Sequence, residues 1–209
     1  MKPSRPARRA LLLTTLLGLG FVLPALLAPW LAPADPLALD LLASLSPPDW
    51  AHPLGTDEQG ADILSRLLYG ARISLGVGLI TVAISASVGI AVGLAAGYAG
   101  GWVEQVAMRV VDVLLAFPGL LLAIALVAVL GPGLGNVVLA LAALGWTGFA
   151  RLVRAQTLAL REREFVLAAR AVGAQPGRIM FLHILPNVAA PVLVQASFSV
   201  AARFWRRPR

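Results

Sequence analysis

Asp112 and Arg109 stand three positions apart inside a run that is otherwise largely apolar from Val103 to Leu130. A carboxylate in such a run is a functional candidate by default, because charge in hydrocarbon is costly. The guanidinium on the same helix face offers a second reading, a structural ion pair. Asp112 is therefore either part of a solute pathway or half of an intramembrane pair with Arg109. Little else could act as a catalyst. The 2 histidines, His52 and His183, lie far apart, and with 0 cysteines the chain has neither disulfides nor thiol chemistry. No Ser/His/Asp or metal-ligating set clusters within the apolar runs, which argues against an intramembrane enzyme. No Gly-x-x-x-x-Gly-Lys-Ser/Thr stretch occurs, so the chain has no phosphate-cradling loop of its own. No catalytic residue, cofactor or metal is expected.

The elements that must position these residues are set by lipid. Of 209 residues, 59% are hydrophobic and only 13% charged, against roughly 25% charged in an ordinary soluble domain. The net charge of +7 sits in short blocks between apolar runs. That distribution suits a membrane protein and gives no aromatic-interleaved basic surface for nucleic acid. A first span is expected from about Ala10 to Leu31, preceded by Lys2, Arg5, Arg8 and Arg9. The competing reading is a cleaved signal peptide ending at Ala32-Pro33-Ala34. The length of the apolar run and the proline in that site disfavour it. Pro33 to Arg72 is acidic and turn-rich, with a short interfacial amphipathic helix expected from Asp62 to Gly70.

A second span follows from Ile73 to about Tyr98. Within it Gly89, Gly93 and Gly97 recur every four residues, a small-residue stripe that lets a second helix approach closely. A third span runs from about Val103 to Leu130, with Pro118 expected to kink it. The fourth runs from about Val137 to Leu152, and the fifth from Ile179 to Ala202. The positive-inside rule puts the N-terminus in the cytoplasm, Pro33–Arg72 outside, and Arg151–Arg178, with its six arginines, inside. The end of the chain conflicts with this pattern. A fifth crossing would carry Arg203, Arg206, Arg207 and Arg209 outside, and the abrupt change after Ala202 reads as a truncation or frameshift.

The most informative stretch is Arg161 to Asn187. Glu164 to Val172 suits a short helix, with Ala168, Ala169 and Ala171 presenting a low-profile face. Gly173 can take the positive φ that ends such a helix. Pro176 fits the first turn of a second one, where its missing N–H is not needed. A helical hairpin should therefore project between spans four and five.

This hairpin resembles the loop of ATP-binding-cassette importer permeases, whose pattern is Glu-Ala-Ala, three residues, Gly, nine residues, then Ile-x-Leu-Pro. Ala168, Ala169, Gly173, Leu185 and Pro186 match; Leu167 stands in place of Glu and His183 in place of Ile. His52 to Asp57, Asp62 to Leu75, and Met108-Arg109, Asp112 and Phe117-Pro118 resemble the dipeptide/oligopeptide/nickel branch of that family, the binding-protein-dependent transport inner-membrane components.

The resemblance implies an all-α polytopic permease of the type I importer fold, with five spans here of an expected six. It implies a basic tail and first span in 1–32, an extracytoplasmic segment in 33–72, a permease core in 73–202 and a basic tail in 203–209. An ATPase-coupling loop would lie at about 153–183, with Glu164 and Arg178 among its residues. Expected partners are a second permease subunit, two cytoplasmic ATPase subunits, an extracytoplasmic solute-binding protein and the lipid bilayer; peptides or nickel would be the cargo. The rival class, a secondary transporter, would need inverted repeats and buried acids for ion coupling, and the spans are nearly free of acids.

Overall fold

A computed structural model of the chain describes residues 18–204, with side chains for 18–200. The N-terminal bases, the beginning of the first expected span and Arg206, Arg207 and Arg209 lie outside the described residues, as does the side chain of Arg203. Among the described residues the regular structure is helical, apart from one isolated bridge between Thr56 and Asp62. Residues 18–26 and Ala28–Leu31 are helical. The remaining helices are α1 (Ile63–Ala99), α2 (Gly101–Ala116), α3 (Gly119–Leu130), α4 (Leu134–Arg161), α5 (Glu164–Ala171), α6 (Pro176–Ile179) and α7 (Leu185–Phe204), with a π-turn at Met180–Ile184 between α6 and α7.

Three stretches among the described residues are long and apolar enough to cross a membrane: Ile63–Ala99, Leu134–Arg161 and Pro176–Val200; α2 and α3 make a fourth if they form one broken span. The break is sharper than a kink, because α2 and α3 meet at 90°. Pro118 is the cause. It denies the α conformation to the residue before it, and Phe117 is accordingly extended at φ −92 and ψ 144. The short helix expected at Asp62–Gly70 is not separate but forms the first turns of α1. No proline intervenes before Ile73, so nothing stops the helix from continuing. At 37 residues, α1 is roughly 55 Å long, well beyond the ~30 Å hydrocarbon core.

The chain divides into two compact units, Met1–Gly76 and Val77–Arg209. In the first, two carboxylates organise the turn-rich segment. Asp57 accepts the N–H groups of Gln59 and Ala61 at 2.8 and 3.0 Å and pairs with Arg66. Arg66 also donates from Nε to the Pro36 carbonyl at 3.1 Å. Asp62, only 1% exposed, caps the start of α1 by accepting the Ser65 N–H at 2.7 Å, and meets His52 Nδ1 at 3.1 Å. Gly60 turns the chain at φ +75, tight against the Asp40 carbonyl, where only glycine fits.

The second unit is built around α4, which packs against α2, α3 and α7 and lies against the glycine stripe of α1. A Cβ on Gly89 would fall 2.7 Å from the Trp146 carbonyl oxygen; one on Gly93 would fall 2.7 Å from the Ala150 carbonyl oxygen and from Val153 Cβ. A Cβ on Gly97 would stand 2.7 Å from Thr157 Cβ. Each step of four along α1 is thus matched by a step of about four in the same direction along α4. The two helices run parallel in backbone contact, and their C-terminal ends lie together, where Arg161 donates to the Gly97 carbonyl at 3.1 Å. The core joins Val82 and Leu94 of α1 to Phe149 and Val153 of α4, Val166 and Ala169 of α5, Ile179 of α6, Ile184, and Val188 and Val192 of α7.

Two predictions follow from these contacts. Helix propensity favours Gly→Ala by about 1 kcal/mol, so Gly78→Ala, where a Cβ meets nothing within 4 Å, should be neutral or stabilising. Gly93→Ala should destabilise despite that gain, because overpacking costs about 1–3 kcal/mol; thermal unfolding in detergent reads the opposite signs. The second concerns acid. Burial raises the pKa of Asp57 and of Asp62, but hydrogen bonds, from Gln59 and Ala61 to Asp57 and from Ser65 to Asp62, outweigh it and leave both below the ordinary value of 3.8; Arg66 adds to the effect at Asp57 and His52 at Asp62. A lowered native pKa contributes stability that is present above the unfolded value and lost as pH falls through the native one. Amide protection at Ala61 and Ser65, corrected for intrinsic exchange, should therefore hold above about pH 4 and collapse below it.

Candidate functional site

The hairpin between α4 and α7 has its geometry written by a few residue types. Arg163, extended at φ −76 and ψ 148, ends the preceding chain, and Glu164 places a carboxylate in the first turn of α5, where the helix dipole favours it. Gly173 closes α5 at φ +81. Its N–H donates to the Arg170 carbonyl at 2.9 Å, and the Ala174 N–H donates to the Ala169 carbonyl at 3.0 Å. This is the paired bonding of a Schellman motif, which satisfies the last carbonyls of the helix. A Cβ on Gly173 would meet nothing within 4 Å, so glycine is required by its backbone angle and not by crowding. Gln175 is extended, Pro176 opens α6, and the Ile179 N–H reaches back to the Gln175 carbonyl at 3.1 Å.

One side of the hairpin is locked. Val166, Ile179 and Ile184 are 0% exposed, and Leu185 packs against the same core. The other side is open and apolar, with Phe165, Leu167 and Val172 exposed, Val172 at 84%. Ala168 and Ala171, three residues apart, share this open face, while Ala169 is rotated about 100° from Ala168 and turned into the core. The three alanines therefore do not form one face. Arg178 and Pro186 are exposed. The hairpin is thus a body fixed to the spans on its inner side and offering small, apolar and charged side chains on its outer side.

Charges tie the neighbouring helices to its base. Arg154 of α4 grips Glu104 of α2, with Nε at 2.7 Å from the carboxylate, and Arg170 of α5 lies over the Tyr98 ring at 5.1 Å from its centre. Asp112 pairs with Arg151 of α4. The pair expected between Asp112 and Arg109 does not form, and Arg109 makes no ion pair among the described residues. On one helix a base preceding an acid is the less favourable order, and α4 brings a second guanidinium within reach of the carboxylate. Sequence reasoning passed over Glu104, Arg151 and Arg154. Their signal was a set of opposite charges on helices expected to be neighbours, which spacing along one chain does not show.

Comparison with known proteins gives this architecture its relatives. Residues 89–204, which hold the glycine stripe, α4, the hairpin and α7, match the family model described as binding-protein-dependent transport system inner membrane component. The chain is 51% identical over 179 residues to the dipeptide transport system permease protein DppC of Escherichia coli K12, covering 83% of this chain and 60% of that one. It is 45% identical over 184 residues to the di/tripeptide transport system permease protein DppC of Pseudomonas aeruginosa, covering 85% and 61%. Against the dipeptide transport system permease protein DppC of Alkalihalophilus pseudofirmus it is 43% identical over 177 residues, covering 85% and 58%. The chain thus spans about three-fifths of the length of these relatives. With its apolar helices and the matched core, the chain belongs to the family of binding-protein-dependent transport system inner membrane components.

Proposed function

We propose that the chain is a membrane-spanning permease subunit of an ATP-driven importer that carries peptides or a related small solute. The names of the relatives favour di- and tripeptides over nickel as cargo. The single observation that carries the coupling role is the two-sided hairpin. Its inner face belongs to the same core as α1, α4 and α7, and its outer face exposes Phe165, Leu167 and Val172. A push on such a body is delivered to the spans, because packed interfaces move as units and do not deform continuously. The pusher is a separate cytoplasmic ATPase, two copies per importer as the family resemblance implies; the 209 residues hold no phosphate-binding loop of their own. A second permease subunit completes the pathway, and an extracytoplasmic binding protein delivers the cargo.

In this reading the N-terminus and the hairpin are cytoplasmic. The parallel register of α1 and α4 supports a common side for the Gly100–Gly101 turn and the start of the hairpin. Glu164, Ala168, Ala169, Gly173, Arg178, Leu185 and Pro186 form the coupling loop, and Gly89, Gly93 and Gly97 the packing face. Asp112 with Arg151 serves as a structural clamp between α2 and α4.

The chain has 0 cysteines, which makes the topology directly testable. A thiol introduced by Ala168→Cys should react with a membrane-impermeant maleimide only after cells are permeabilised; labelling of intact cells would remove the coupling role. A second experiment reads coupling itself. In the reconstituted importer, Gly173→Val places a β-branched residue at positive φ, at a cost of about 1–2 kcal/mol to the hairpin bend. Solute uptake per ATP hydrolysed should fall several-fold while membrane insertion is unchanged. Unchanged uptake per ATP would contradict the assignment.

A further inference from the structure

Pro186 has no N–H to offer the carbonyl of Leu182, four residues back, and in an α-helix its ring would crowd that carbonyl. The chain widens there. Met180–Ile184 is a π-turn, closed by the Leu185 N–H donating to the Met180 carbonyl five residues back. One residue beyond the proline, Asn187 donates from its side-chain Nδ2 to the His183 carbonyl at 2.7 Å. His183 sits on the turn with Nδ1 buried and without a hydrogen-bond partner. The turn is bracketed by Ile179 and Ile184, both fully buried. A widened turn between two anchored side chains, carrying an orphaned polar atom, is a place where backbone bonds change at low cost. Single π-turns inside α-helices are frequent at functional sites for this reason, and a buried orphan is a recognised reservoir of strain.

We propose that this π-turn is a hinge at which the hairpin, moving as one body with the α1 and α4 side chains it packs against, can turn relative to α7, and that Asn187 is the positioning residue that keeps it usable. When the turn opens, the Asn187 amide keeps the His183 carbonyl satisfied. Pro186 sets the hinge by forbidding the α bond that would close it. The coupling part of this inference rests on the proposed function; the hinge itself does not.

Two measurements separate them. The first is hydrogen–deuterium exchange on the full chain in lipid nanodiscs. Amides of 180–187 should exchange faster than those of 188–195, and Pro186→Ala, which restores the N–H and removes the ring, should slow them at least tenfold. Asn187→Ala should slow them as well, because opening then strands a carbonyl. Asn187→Ser, whose hydroxyl can also bond a carbonyl four residues back, should restore the exchange. Protection in 180–187 equal to that of the flanking helix, unaffected by Pro186→Ala, overturns the hinge. The second is solute uptake per ATP in the reconstituted importer. Asn187→Ala should lower it several-fold, with recovery in Asn187→Ser and unchanged ATPase binding; Asn187 is exposed, so its truncation spares the core. Wild-type uptake per ATP in both Pro186→Ala and Asn187→Ala overturns the role in coupling. Failure of the wild-type chain to bind any ATPase would instead remove the proposed function, with the exchange comparison still deciding the hinge.

Discussion

The backbone contact between α1 and α4 is the constraint from which the rest of the second unit follows. In lipid, two apolar helices gain nothing from hiding apolar surface, because the tails are as apolar as leucine, so association depends on van der Waals packing and on the few polar bonds that close approach permits. Three glycines on one face remove the side chains that would hold the helices apart, and the space is taken by Phe149, Val153, Thr157 and the carbonyls of Trp146, Ala150 and Arg154. Once the two helices lie this close and parallel, the end of α4 is delivered to the end of α1. The Arg161 guanidinium can then reach the Gly97 carbonyl, and Arg170 can cover Tyr98.

The hairpin inherits its position from that seam. It begins two residues beyond α4 and returns into α7, and between those points it places Val166, Ala169, Ile179 and Ile184 into the core that already holds Val82, Leu94, Phe149 and Val153. Its bend is fixed by one backbone angle, at Gly173, and by one missing N–H, at Pro176. What it leaves uncovered combines the apolar Phe165, Leu167 and Val172 and the small Ala168 and Ala171 with the charged Glu164 and Arg178. A surface of that kind suits a partner that seats closely and presses, and a packed inner face keeps the pressure from being lost in local deformation. The ion pairs Glu104–Arg154 and Asp112–Arg151 add a second tie, from α2 to α4, close to the hairpin base. Asp112–Arg151 is half exposed and Glu104–Arg154 more covered; their value is in fixing which faces of α2 and α4 meet.

Much of this was legible from residue order, where a single residue type dictates a local geometry. Gly173 and Pro176 marked the bend and the second helix start because few conformations suit them. The glycine stripe marked a close-packed face because its spacing of four follows the helix period. Features that depend on where a second helix lies were not legible. The partner of Asp112 was Arg151, thirty-nine residues away, and not Arg109 beside it. Glu104 meets Arg154 only once α4 lies beside α2. The division of the three alanines depended on which side of α5 met the core. Pro118 announced a disturbance but not a 90° turn, and the merging of the expected interfacial helix into α1 turned on the absence of any stop signal near Gly70. The π-turn had its cause in plain view at Pro186, but residue order alone does not decide between a kink and a widened turn.

The most direct measurement of the seam is disulfide formation in this cysteine-free chain. A Cβ at Gly97 would lie 2.7 Å from Thr157 Cβ, and a disulfide needs about 3.5–4.5 Å between the two, so a small outward shift suffices. Gly97→Cys with Thr157→Cys should cross-link readily under mild oxidation in membranes. Gly89→Cys with Thr157→Cys, roughly 12 Å out of register along the helix, should not. Cross-linking of the second pair in place of the first would mean antiparallel helices with the end of α4 carried away from the end of α1, and the positioning of the hairpin described above would be wrong.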